Sequence, residues 1–123
     1  MALLDDLLAR MRATPELSDI QIVENEAVDD ETFVFKIHAS ILPNYLQIRF
    51  LADKNFERYS FQLYSDHPLL RWDNTPHYPD LPNPPHHFHD QNGNVSPSTL
   101  TGSLLLDFDI VIAEIKKFIN LNR

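Results

Sequence analysis

Phe33-Val34-Phe35-Lys36-Ile37-His38-Ala39, Leu46-Gln47-Ile48-Arg49-Phe50 and Arg58-Tyr59-Ser60-Phe61-Gln62-Leu63 are the stretches that decide the fold. Each alternates apolar and polar residues. In an extended chain that period of two sends successive side chains to opposite faces, so each stretch reads as a half-buried strand. The links between them, at Pro43-Asn44 and Asp53-Lys54-Asn55, are turn-forming and too short to hold a crossover helix. The strands therefore run antiparallel, as a meander. Ile20 and Ile22 alternate ahead of the acidic turn Asp29-Asp30-Glu31, and Leu69 to Trp72 offers one more extended segment. The expectation is four or five strands over residues 19–72.

Helical periodicity brackets this sheet. Leu3, Leu4, Leu7, Leu8 and Met11 recur on one stripe, which predicts a helix over 1–13 that Thr14-Pro15 ends. Phe108, Val111, Ile112, Ile115, Phe118 and Ile119 predict a second helix over 107–121, with Asp107 as its N-cap. Two apolar stripes need an apolar partner, and the strand face carrying Phe35, Ile37, Leu46, Ile48, Tyr59 and Phe61 supplies it. The fold class that follows is α+β, with both helices packed on one face of the sheet. The other sheet face carries Lys36, His38, Gln47, Arg49, Arg58, Ser60, Gln62 and Tyr64, and is polar and basic.

Composition narrows the class. The 123 residues suit one domain spanning 1–123, and 43% hydrophobic residues are enough for a core. With no cysteine there is no disulfide framework and no thiolate metal site. No apolar run approaches a membrane span, and Asp5 and Asp6 sit where a signal peptide would be basic, so a cytoplasmic protein without membrane contact is expected. The formal charge of −8 disfavours indiscriminate binding to nucleic acid. That charge is uneven: residues 1–31 hold nine acids against two bases, whereas 32–71 hold five bases against three acids. Only two glycines are present, so no phosphate-cradling glycine loop exists, and ATP, NAD and serine-hydrolase chemistry are not supported.

The chemistry-bearing segment lies after the sheet. Residues 73–106 read as a long loop stiffened by prolines, and four of the six histidines, His77, His86, His87 and His89, fall within it beside Arg71 and Asp73. In extended backbone the His87-x-His89 spacing points both rings to one side, as metal sites and acid–base pairs require. Imidazoles also transfer protons near neutral pH without a metal. Candidate catalytic residues are thus Arg71, Asp73, His77, His86, His87 and His89; no cofactor is certain, and a divalent metal is compatible with them. The bland alternative is that these histidines only satisfy backbone groups in a rigid loop. On the basic sheet face, Lys36, Arg49, Arg58 and Tyr64 are candidates for holding phosphates and stacking bases of RNA. A solvated face or a homodimer interface are the alternatives there.

The stretches Arg71-Trp72-Asp73-Asn74-Thr75-Pro76-His77 and Pro85-His86-His87-Phe88-His89, with Asp29-Asp30-Glu31 to Ile37 and Tyr59-Ser60-Phe61-Gln62, resemble the TumE-like family, the proposed toxin component of a bacterial toxin–antitoxin pair. Tyr78 stands where members of that family commonly place a second histidine. The resemblance implies a toxin role and an antitoxin protein as partner; it brings no established catalytic residues. Two readings follow. One is a ribonuclease, metal-dependent or working by histidine acid–base chemistry, with cations on the sheet holding phosphates. The other is a non-catalytic interaction or metal-binding module whose Pro/His loop forms a partner surface.

Overall fold

The computed structural model describes residues 2–122; the outermost residue at each end of the predicted span lies outside them. Helix α1 (Ala2–Arg12) is followed by β1 (Ser18–Ala27), β2 (Phe33–Ile41), β3 (Asn44–Ala52), β4 (Glu57–Tyr64), β5 (Pro68–Asp73), β6 (His87–His89) and β7 (Val95–Pro97), and α2 (Leu104–Leu121) closes the chain. All seven strands form one sheet in sequence order, each antiparallel to the next.

Alternation fixes what each face carries. Phe35, Ile37, Ala39, Leu46, Ile48, Phe50, Tyr59, Phe61, Leu63, Leu70 and Trp72 point to one side and join Leu4, Leu7, Leu8 and Met11 of α1 and Phe108, Val111, Ile112 and Ile115 of α2 in a single buried cluster. Phe35 and Phe50 stack within it at 4.9 Å between ring centroids. The helices meet at their ends, where Arg10 pairs with Asp109 at 2.8 Å. No helix of the described residues is long and apolar enough to cross a membrane.

Two sequence expectations are corrected. The sheet has seven strands rather than four or five, because the segment read as loop over 73–106 contains the β6–β7 hairpin. Three-residue strands are too short to show a period, yet His87, Phe88 and His89 pair with Asp73, Trp72 and Arg71 and so extend the meander. The hairpin closes through Asp90, whose carboxylate accepts from the Asn92 and Asn94 amides, with Gly93 at positive φ. The second correction is the start of α2. Ser103, not Asp107, is the N-cap, its hydroxyl accepting from the Leu106 amide, and the helix begins at Leu104 because that side chain already belongs to the core. Asp107 faces inward, fully buried, and accepts hydrogen bonds from the Tyr59 hydroxyl, the Thr101 amide and hydroxyl and the Gly102 amide.

Candidate functional site

The polar face of the sheet is organised by register. Lys36, Arg49, Ser60, Asp73 and His87 are successive cross-strand partners from β2 to β6, and so are His38, Gln47, Gln62, Arg71 and His89. Trp72 and Phe88, alternating with these residues, turn to the core side, where their rings lie 5.1 Å apart. The basic face and the histidine segment, separate features in the sequence, are therefore one surface. It bears a cavity of about 450 Å³ lined by Gln62, Arg71, Asp73, His77, His87 and His89, with Tyr78 at its side.

At its centre, a carboxylate oxygen of Asp73, a nitrogen of His87 and a nitrogen of His89 all lie within 4.8 Å of one another. His87 is 1% exposed, and its Nδ1 donates to the Pro85 carbonyl at 3.1 Å. A carbonyl only accepts, so that bond places the proton of the neutral ring on Nδ1 and leaves the Nε2 lone pair facing Asp73, 3.9 Å away. Tyr78 packs edge-on against His87 at 4.7 Å, and the His87 and His89 rings are 4.9 Å apart.

The electrostatics follow from these contacts. Burial opposes ionisation of Asp73, but the Thr75 hydroxyl and amide on Oδ1 and the Arg71 guanidinium on Oδ2, at 2.9 Å, outweigh it and hold the carboxyl below its ordinary range. Burial, and then the neighbouring His87 and Arg71, hold His89 below the usual imidazole value against the pull of Asp73. At neutral pH the centre therefore presents a carboxylate beside a neutral His89 imidazole.

Five of the six candidate catalytic residues, Arg71, Asp73, His77, His87 and His89, line this cavity. His86 does not. Being next to His87 in extended chain it faces the other way, buried beside Gly102, and its Nδ1 has no hydrogen-bond partner among the described residues. Burial lowers its pKa, an effect that nearby Asp107 opposes. Of the candidate substrate-binding residues, Arg49 and Arg58 meet Arg71 around a small groove of about 60 Å³ that shares Asp73 and Thr75 with the main cavity. Lys36 lies further along the same rung, 3.9 Å from Glu24, and Tyr64 packs against Tyr45, so neither lines the cavity. Gln62, placed by the sequence on the polar face but not among the candidate site residues, and Thr75 also line the cavity. The Asp73-x-Thr75 spacing of an Asx turn could have found the second; only the β4–β5 register identifies the first.

A small α+β protein with a carboxylate, a histidine pair and three arginines on the open face of its sheet is the class these observations define. The model of the family described as Toxin TumE matches residues 4–119, and the chain belongs to that family. No curated protein and no solved structure matches the chain.

Proposed function

We propose that the chain, as a toxin, acts on RNA across the polar sheet face, cleaving a phosphodiester at the Asp73–His87–His89 centre. The observation that supports this reading best is the convergence of Arg49, Arg58 and Arg71 on a groove opening beside that centre. Cleavage requires a base, an acid and cationic stabilisation of the charge that builds on the phosphoryl oxygens. An attacking oxygen bonds to phosphorus and gives up its proton at the centre, while the bond from phosphorus to the leaving oxygen breaks and that oxygen is protonated. His77, exposed at the rim, is placed to supply the latter proton. Arg71 is half-exposed and can exchange its contact with Asp73 for a substrate phosphate. The partner that neutralises the toxin is an antitoxin protein.

The test is growth arrest on induced expression, combined with cleavage of RNA by purified protein. Arg71→Ala and His89→Ala should abolish both while leaving the thermal midpoint nearly unchanged. Arg49→Ala should weaken RNA binding and reduce its salt dependence by about 0.7 in log–log slope, the contribution of one phosphate contact on a single strand. Variants that stay as toxic as the parent, or whose toxicity tracks only the amount of folded protein, would favour a non-catalytic partner surface.

A further inference from the structure

We propose that Asp73, His87 and His89 hold a divalent transition-metal ion of the zinc class in the cavity between β5 and β6. This deepens the reading of the cavity as the toxin's site by naming its cofactor, and it stands on four observations.

The donor set is the first. Two imidazole nitrogens and one carboxylate oxygen suit zinc and its neighbours in the first transition row, and do not suit calcium or magnesium, which prefer oxygen alone. The second is distance. Donors drawn to about 2.1 Å from one ion at tetrahedral angles sit about 3.4 Å apart. The His87 Nε2 and Asp73 Oδ1 atoms are already at 3.9 Å, and all three donors lie within 4.8 Å, so every pair is within about 1.5 Å of the spacing that one ion requires. The third is the surrounding hydrogen bonding. A metal-bound histidine characteristically donates its other N–H to a carbonyl or carboxylate, and a metal-bound carboxylate is itself hydrogen-bonded. His87 already donates Nδ1 to Pro85, and Asp73 is gripped by Thr75 and, through its second oxygen, by Arg71. The fourth is the scaffold. Asp73 and His87 are direct cross-strand partners and His89, two residues on from His87, is the diagonal neighbour of Asp73, so two paired strands rather than a loop fix the three donors.

Three protein donors leave room for water, and such an ion lowers that water's pKa toward neutrality, supplying a nucleophile that the imidazoles would otherwise have to activate themselves.

The experiment is calorimetric titration of chelator-treated, dialysed full-length protein with ZnCl2, with MgCl2 as comparison and CoCl2 read by its visible absorption. One zinc ion per chain should bind and raise the thermal midpoint, cobalt should give the intense spectrum of a low-coordinate site, and magnesium should have no effect. His89→Gln, at a half-buried position, should keep the parent's circular dichroism and lose on the order of a hundredfold in zinc affinity or more, since losing even an outer partner costs about 10–100-fold. His87→Ala should lose zinc affinity likewise. No stoichiometric zinc binding, equal binding of magnesium, or unaltered affinity in His89→Gln each overturns the proposal. Failure here is distinguishable from failure of the RNA reading. Cleavage of RNA by a protein that binds no stoichiometric zinc overturns the metal and keeps the RNA. Zinc bound through these residues with no action on RNA keeps the metal and overturns the RNA.

Discussion

Among the described residues two carboxylates are buried, on opposite sides of the sheet, and replacing each should have reciprocal consequences. Asp107 is the structural one. It is fully buried and accepts four hydrogen bonds, from the Tyr59 hydroxyl, the Thr101 amide and hydroxyl and the Gly102 amide. Leaving a buried donor unsatisfied costs about 1–3 kcal/mol. Thr101 and Gly102 are exposed at their outer edge, so water can replace part of what they lose, whereas Tyr59 is buried and its hydroxyl is stranded. Asp107→Ala should therefore cost about 2–4 kcal/mol, and Asp107→Asn, which keeps one acceptor oxygen, about 1–2. Asp73→Asn retains an oxygen for Thr75 and forfeits an ion pair to a half-exposed arginine, for which about 1 kcal/mol or less is expected after solvent screening. Urea unfolding followed by circular dichroism measures all three. Toxicity per folded molecule should survive Asp107→Asn and be lost in Asp73→Asn. An Asp107→Ala loss below about 1 kcal/mol would refute the four-donor account, and so would an Asp73→Asn protein of full toxicity for the site. Tyr59 adds a pH signature. Burial, then the hydrogen bond and charge of Asp107, raise its pKa well above the ordinary value near 10. A raised folded pKa gives stability that is complete below pH about 10 and is lost as pH climbs above it, so alkaline unfolding should be steeper in the parent than in a Tyr59→Phe variant.

Two further outcomes are expected. Trp72→Ala should cost about 3 kcal/mol or more in the same urea experiment, since the indole is 5% exposed and packs against Phe88; a loss below about 1 kcal/mol would make it peripheral. His86, held below its ordinary pKa first by burial, contributes stability that is fully present above pH about 6.5 and declines as pH falls through that value. The thermal midpoint of His86→Gln should consequently vary less with pH between about 5 and 7 than that of the parent, and identical slopes would show that His86 does not titrate differently on folding.

The first four strands, the α1 stripe and the buried stripe of α2 were legible because each runs long enough for its period to register against neighbours of opposite polarity. Even the orientation of His87 and His89 was readable from their spacing. The same rule applied one residue earlier would have set His86 on the opposite side, away from the cluster, because adjacent residues of an extended chain diverge. The β6–β7 hairpin escaped notice since Pro84-Pro85 and the polar run after Phe88 drown a three-residue strand, although Asp90-Gln91-Asn92-Gly93-Asn94 is a turn signal by composition. Asp107 was misread for a different reason. A carboxylate at the head of an apolar stripe looks like a cap, and only the tertiary position of Tyr59 and Thr101 reveals that it turns inward.

The site depends on register more than on the loop that leads to it. Residues 75–86 connect β5 to β6 without setting the strand register of His87 and His89, because the pairing of Asp73 with His87 and Arg71 with His89 does that. A slip of β6 by one residue would place Phe88 on the polar face and turn both histidines toward the core. What resists the slip is Phe88 itself, packed on Trp72 and thereby on the cluster that both helices close. Asn74 adds a second restraint: its side chain accepts from the Tyr59 amide and donates to the Glu57 carbonyl, so it extends the β4–β5 ladder just where the strand leaves it and fixes the depth at which Asp73 ends. The stretch after Tyr78 and before Pro85 can therefore vary at little cost to the centre, whereas His77 and Tyr78 line the cavity themselves. A polar residue in place of Phe88 touches neither the histidines nor Asp73, yet it should dissolve the register that brings the three together.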